Sequence, residues 1–311
     1  MDTLVFVFSG QGNQSPGMGK ELFDELPAVR DVFERHELIR PGTKAQCFSG
    51  DAQTLNQTIN AQPCLFTLSF AIAAALEQEG VSPCMLAGFS LGEISALAFA
   101  DVFSGDDGFR FVCQRAEAMQ KASFHSPGGM AAVLKLSSMQ VGALCKEIGN
   151  LYPVNYNCPQ QVVVAGSAEA LAKLAQAAAS IGGRALPLKV SGAFHSPLMD
   201  EASLELLEIL KDYHLSPARL PVFANMTAQP YTSYAQNMIA NQVNHPVLWQ
   251  ETIENMIKNG VRDFIEVGAG STLCGLIGKI DKNVSTMHIH NKESFDEAIR
   301  RYAKEPIHAE K

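Results

Sequence analysis

The chain is poor in charge, and poorest in positive charge. Lys and Arg number 24 against 32 Asp and Glu, only 18% of the 311 residues are charged, and the net charge is -8. That balance argues against a nucleic-acid binder and against attachment to an anionic membrane surface, since both need a cationic face. Seven cysteines are present with no Cys-x-x-Cys pair, and those at Cys64, Cys84 and Cys113 have apolar neighbours. An odd, scattered set of this kind reads as reduced core thiols of a cytoplasmic protein, not as a disulfide framework. The apolar run at 4–8 has no basic segment before it and stops at Ser9-Gly10, so no signal peptide is expected. No apolar stretch approaches the ~18 residues of a membrane span, so none is expected. Repeats and low-complexity tracts are lacking. What is there is 47% hydrophobic, enough for one large domain or a large one with a small companion.

The segment that carries most information is Gly88-Phe89-Ser90-Leu91-Gly92. An apolar run at 84–87 precedes it and a helix-forming run at 91–100 follows, so Gly-x-Ser-x-Gly stands between strand and helix. In that setting Ser90 sits on a sharp turn with its hydroxyl lifted off the strand end. The N–H of Leu91, at the helix N-terminus, points toward an oxygen developing negative charge. A plain tight turn with two useful glycines is the alternative.

Around this turn, 4–8 reads as a buried strand, and helical patterning begins near Gly17. Helices are expected at 63–79 and 106–121. Strands alternating with helices imply a parallel α/β sheet, whose ligands bind at the carboxyl ends of strands. The middle changes character. Strands at 130–136, 151–155, 161–165 and 184–190 and helices at 138–149 and 167–181 give the order β-α-β-β-α-β of a ferredoxin-like unit. It reads as a small domain, 128–191, inserted into a large one made of 1–127 and 192–290, with 291–311 as a C-terminal extension. The large pattern resumes with a helix at 197–213, a strand at 220–224, a helix at 249–259 and a strand at 263–267. Gly268-Ala269-Gly270-Ser271 then resembles a phosphate cradle only weakly, and a plain loop closing an α/β unit reads better. Residues 302–311 look like a frayed tail.

A serine hydroxyl needs a base at neutral pH. His195 lies in a loop at the domain junction, where a cleft should open, although a loop histidine taken alone reads as a solvated side chain. His245, before Pro246, is its rival. His288 and His290 alternate on a strand-like segment with no third ligand nearby, so no metal site is expected. Arg115, on the 106–121 helix, reads on its own as a solvated helix arginine.

Together these residues resemble a family. Phe8-Ser9-Gly10-Gln11-Gly12, Gln62-Pro63, Gly88-Phe89-Ser90-Leu91-Gly92-Glu93, Arg115, Asn155-x-Asn157, Ala193-Phe194-His195-x-x-x-Met199 and Glu266-Val267-Gly268 stand in the order and spacing of the malonyl-CoA:acyl carrier protein transacylases. These are the acyltransferases of fatty acid and polyketide synthesis, and the resemblance runs from residue 3 to about 280. It implies an α/β fold with a hydrolase-like parallel-sheet large subdomain and an inserted ferredoxin-like small subdomain. It implies Ser90 as nucleophile and His195 as general base, then acid, in a dyad whose imidazole is held by a main-chain carbonyl, here that of Leu248. Main-chain N–H groups of Gln11 and Leu91 would form the oxyanion hole. Arg115 would pair with the free carboxylate of a malonyl group. A neutral acyl group would leave that cation buried and unpaired, at a cost of about 3–5 kcal/mol. Gln62, Phe89, Phe194 and Leu248 would line or support the pocket, and Asn155 and Asn157 would be structural amides.

Three positions depart from the family pattern: Ser9 for a proline, Phe89 for a histidine, and Leu248 for a polar or basic residue. Phe89 leaves the choice of malonyl-type extender open. The resemblance implies malonyl-CoA and an acyl carrier protein as partners, coenzyme A entering as a thioester substrate and not as a cofactor. A monomer without metal, nucleic acid or membrane is expected. An acidic carrier protein would need a basic patch, for which Arg184, Lys189, Lys279 and Lys282 are candidates. An acyl hydrolase that clears stalled carrier-protein chains is the first rival, but such relatives usually lose the arginine. A generic α/β-hydrolase would want an acid after Ser90 and a later histidine than His195. A catalytically silent docking protein would have no use for the Ser90, His195 and Arg115 set.

Overall fold

The computed structural model describes residues 3–232 and 235–304. β1 (Leu4–Phe8) is buried at every position, as a strand covered on both faces must be. Five helices follow: α1 (Lys20–Glu25), α2 (Pro27–Ile39), α3 (Thr43–Ser49), α4 (Ala52–Leu55) and α5 (Thr58–Gln78). Then come β2 (Met85–Gly88), α6 (Leu91–Phe99) and α7 (Gly105–His125).

α5 corrects two expectations. Pro63 does not open the helix but lies inside it, since the helix begins at Thr58. A proline there cannot bond the carbonyl one turn back, that of Ile59. Arg40 donates to that carbonyl instead, at 3.3 Å. The helix is also long and apolar enough to cross a membrane by length and composition, being free of charge from 58 to 76. Yet 83% of its apolar window is buried inside the protein, against α2, α6 and α7.

The small unit comprises β3 (Gly129–Leu134), α8 (Ser138–Ile148), β4 (Leu151–Cys158), β5 (Gln161–Gly166), α9 (Ala168–Ser180) and β6 (Arg184–Pro187). Its antiparallel sheet has the order β4-β5-β3-β6, so the first and third strands are central, as in a ferredoxin-like unit. The chain then returns through α10 (Asp200–Ile209), β7 (Val222–Phe223), α11 (Ala235–Asn241), α12 (Trp249–Lys258), β8 (Asp263–Val267), α13 (Thr272–Ile280), β9 (Ser285–Ile289) and α14 (Lys292–Tyr302). The helix expected at 197–213 is α10 flanked by two 3-10 turns, Pro197–Met199 and Leu210–Asp212.

The large sheet is parallel throughout, in the order β7-β2-β1-β8-β9. Its center is β1, so the loops after β1, β2 and β8 leave the same edge. The two sheets are tied where β4 meets the loop before α12: Val247 N–H donates to Val154 O at 2.7 Å, and Tyr156 N–H to Val247 O at 2.9 Å. The weak phosphate-cradle motif has a structural role. Glu266, buried on β8, accepts the N–H groups of Leu273 and Cys274 at 3.1 and 2.8 Å, so the start of α13 is filled by the chain's own carboxylate. α14 builds Phe295 and Ala298 into the main core, and the Tyr302 hydroxyl donates to Asp263 at 3.1 Å. Tyr302 is therefore not frayed. The rest of the expected tail lies outside the described residues from 305 on.

Candidate active site

β2 ends at Gly88 and α6 begins at Leu91, so the chain reverses over Phe89 and Ser90. Ser90 has φ 52 and ψ -108, a conformation an L-residue holds only when its surroundings impose it. The turn is too tight for side chains at its flanks. A Cβ on Gly88 would lie 1.9 Å from the Gly92 carbonyl carbon, and one on Gly92 would lie 2.0 Å from Phe8 O. The hydroxyl thus stands at the carboxyl edge of the sheet.

The loop after β6 brings His195 to it. His195 is also at positive φ, 63°, and its N–H is fixed to Val243 O at 2.8 Å. Its Nε2 lies 2.7 Å from Ser90 Oγ. Its Nδ1 faces two main-chain carbonyls, Gln242 O at 2.9 Å and His245 O at 3.2 Å. Carbonyls only accept, so Nδ1 carries the proton and Nε2 is free to accept the serine hydroxyl. Burial, and next the Arg115 charge, lower the His195 pKa to about 4, so the ring is neutral at pH 7. The expected carbonyl of Leu248 is not the one used. Leu248 opens α12, and its oxygen is taken by Thr252 N–H and Oγ1, both at 2.9 Å. The rival His245 turns its own Nδ1 to Asn241 O and Asn244 Oδ1 and offers His195 only its carbonyl.

Arg115 is not solvated. It is 1% exposed, on the face of α7 that packs against α5, with Nη2 at 3.4 Å from Ser90 Oγ. Two neutral oxygens hold it: Gln62 Oε1 at 2.6 Å and Gln242 Oε1 at 2.7 Å. Desolvation pulls its pKa down to about 10, opposed by the charge of Glu93, so it stays cationic at neutral pH. The fork is dry, fixed and free of a carboxylate partner among the described residues, an arrangement suited to an anionic group beside Ser90.

The remaining expected residues fall into place unequally. Leu91 is the first residue of α6, so its N–H has no partner within the helix. Gln11 lies in the loop after β1, and a Cβ on neighbouring Gly10 would touch Phe89 O at 2.6 Å, so that loop abuts the turn. Phe194 is buried in the main core. The Phe89 ring meets Trp249 edge-on at 5.5 Å, within the opposite hydrophobic cluster. Asn155 and Asn157 are buried on β4. Sequence reasoning missed Gln242, which serves His195 with its carbonyl, Arg115 with its side-chain oxygen, and Ser90 O with its amide at 2.7 Å. It lies in a 3-10 turn, Gln242–Asn244, with no hydrophobic period to flag it, and the density of amides in Asn241-Gln242-Val243-Asn244 was its one signal.

A strained serine, a neutral histidine and a buried arginine thus meet at one sheet edge. The acyl transferase domain family matches this chain over residues 5–292. The chain belongs to that family, and within it to the malonyl CoA-acyl carrier protein transacylases. It is 38% identical over 308 residues to the malonyl CoA-acyl carrier protein transacylase of Bacillus subtilis (strain 168), covering 96% of this chain and 97% of that one. It is also 38% identical over 291 residues to the polyketide biosynthesis malonyl CoA-acyl carrier protein transacylase PksC of the same organism, covering 91% and 99%. Among solved structures it is similar to a type II PKS malonyl-transacylase, PlMCAT, held in complex with its acyl-carrier protein AntF. The TM-score is 0.93 and the identity 32%, with 96% of this chain and 99% of that one covered.

Proposed function

We propose that this chain moves a malonyl group from coenzyme A to the phosphopantetheine thiol of an acyl carrier protein, through an ester on Ser90. The observation that carries the reading is the buried Arg115 guanidinium 3.4 Å from Ser90 Oγ, held by two neutral glutamines and by no carboxylate among the described residues. In the first half-reaction His195 Nε2 takes the Ser90 proton as Oγ attacks the thioester carbonyl. The oxyanion is met by main-chain N–H groups of Leu91 and Gln11, each worth about 2.7–4 kcal/mol to the transition state. The C–S bond then breaks, and His195 returns the proton to the departing thiolate. In the second half the carrier thiol gives its proton to His195 and attacks the Ser90 ester, and Oγ leaves with that proton. The acyl group stays on Ser90 after coenzyme A leaves and before the carrier thiol attacks, so the cycle is ping-pong, with acid and base roles alternating on one nitrogen. The names of the relatives support malonyl as the acyl group, and the AntF complex supports a carrier protein as acceptor.

Intact mass of the protein after incubation with malonyl-, methylmalonyl- and acetyl-CoA tests this reading. Malonyl mass on Ser90, discharged by a carrier protein bearing phosphopantetheine, is expected. Acetyl labelling as fast as malonyl labelling would sink the role given to Arg115, and discharge to water as fast as to carrier protein would favour the acyl hydrolase.

A further inference from the structure

Beside the Ser90–His195 pair lies a buried polar group that the proposed steps do not use. Glu93, in the first turn of α6, has no solvent exposure. Its Oε2 accepts the main-chain N–H of Asn225 at 2.6 Å, and its Oε1 accepts the Tyr231 hydroxyl. Asn225 in turn lays its side-chain amide across the serine turn. Nδ2 donates to Gly88 O at 2.6 Å, and Oδ1 accepts Ser90 N–H at 2.7 Å. The sheet dictates this placement. β7 runs parallel to β2 with Phe223 opposite Ala87, so the residue two beyond Phe223 comes beside the end of β2. The chain then turns back, Ala224 N–H to Gln229 O at 2.9 Å, and returns Tyr231 beside Val222.

We infer that Asn225, clamped by Glu93 and Tyr231, is a positioning residue for Ser90. A backbone at φ 52 and ψ -108 persists only where the surroundings over-determine it. Two peptides meet at Ser90. Asn225 fixes the first through the Ser90 N–H, and Gln242 fixes the second through Ser90 O, at 2.7 Å each. The second peptide is the one that carries the Leu91 N–H. Release of either amide lets the turn relax, moves Oγ off the His195 nitrogen and re-aims that N–H. Glu93 acts at one remove: it orders the Asn225 backbone, and Tyr231 orders Glu93. The inference rests on Ser90 being the nucleophile and on nothing about the acyl group.

The test therefore uses a reagent that is neither a thioester nor an anion. Phenylmethylsulfonyl fluoride forms a bond from Ser90 Oγ to sulfur, fluoride leaves, and His195 takes the proton; intact mass follows the rate. Asn225→Ala should slow both this labelling and kcat by about a hundredfold, the scale of a 1 Å misplacement, with KM for malonyl-CoA little changed. Labelling at the wild-type rate in a folded Asn225→Ala protein overturns the inference. Tyr231→Phe deletes one oxygen and decides the matter if Asn225→Ala does not fold: it should lower labelling and kcat together, and no change in either overturns the inference. Glu93→Gln keeps an oxygen for the Asn225 N–H and should recover most of what Glu93→Ala loses. If it recovers nothing, the charge of Glu93 matters and not the clamp, and the inference fails. Failure of wild-type protein to take any acyl group from coenzyme A would refute the proposed function and leave this result standing.

Discussion

Arg115→Met offers the sharpest test of selectivity. The sequence reading penalises a neutral acyl group for stranding a buried cation. The structure assigns the energy differently. Arg115 is 1% exposed, and Gln62 and Gln242 satisfy two of its donors. Its dehydration is completed on folding, so a neutral group should lose nothing by entering, while on the proposed function a malonyl carboxylate should gain a preorganised ion pair. Removing one partner of a buried pair costs about 3–5 kcal/mol, and 1.4 kcal/mol is about tenfold. Arg115→Met should therefore lower kcat/KM for malonyl-CoA by about two to three and a half orders of magnitude. The value for acetyl-CoA should hold or rise.

A rise has a stated cause. The Arg115 charge is one of the influences that lower the His195 pKa to about 4. Without it the imidazole becomes more basic, and the acid limb of the pH profile for acetyl transfer should move upward. Methionine keeps much of the volume, and the rate of Ser90 sulfonylation shows whether the Ser90–His195 pair survives the loss of the Gln242 contact. Steady-state kinetics with both thioesters over a pH series is the assay. A fall in malonyl kcat/KM of less than about tenfold, or a parallel fall for acetyl, refutes the reasoning.

Gly92→Ala places a Cβ 2.0 Å from Phe8 O, main chain against main chain, and should cost about 3 kcal/mol or more in a urea titration. Stability should also fall in acid. His36, buried against Phe109, has its pKa lowered from 6.5 to about 3 by burial first, and His195 to about 4. The unfolded chain binds these protons below pH 6.5 and the folded chain does not, so their contribution is full above 6.5 and is lost as pH falls, by ~1.4 kcal/mol per unit and group. Glu93, raised to about 7 by burial, has the opposite sign: its contribution is full below 4.5 and lost as pH rises through 7. Melting temperature should therefore fall as pH drops below 6.5, more steeply below about pH 4.5, where Glu93 no longer opposes the histidines, and His36→Phe should flatten that drop. Finally, Lys189→Glu should raise KM for the carrier protein and leave acylation by malonyl-CoA unchanged; an unaltered KM excludes Lys189 from docking.

The parts of the fold that were legible are those whose signal is local. β1 is an unbroken apolar run because neighbours cover both faces, and Gly88 and Gly92 announce the turn because nothing else fits there. The start of α5 was misread because Pro63 is a good first helical residue. The remedy for its missing bond comes from Arg40, which no window around Pro63 contains. The carbonyl behind His195 was misassigned for a related reason. Any residue type can supply a carbonyl, so its owner is decided by where the next helix begins. α12 begins at Trp249, which consumes the oxygen of Leu248 and leaves those of Gln242 and His245.

The charges of the site make one connected argument. Among the described residues Arg115 has only neutral hydrogen-bond partners, His195 is weakened as a base by burial first and by that cation next, and Glu93, the buried carboxylate whose charge opposes the fall in the Arg115 pKa, spends its oxygens on Asn225 and Tyr231. On the proposed function, a carboxylate paired with Arg115 offsets that second influence while burial keeps the first, so the base should strengthen when a dicarboxylic acyl group is in place. A neutral group would forgo the ion pair and face the weaker base as well. On that reading the same arginine should select twice, once through binding and once through the basicity of His195. The two effects separate experimentally, since the first scales kcat/KM alike at every pH and only the second also shifts the acid limb.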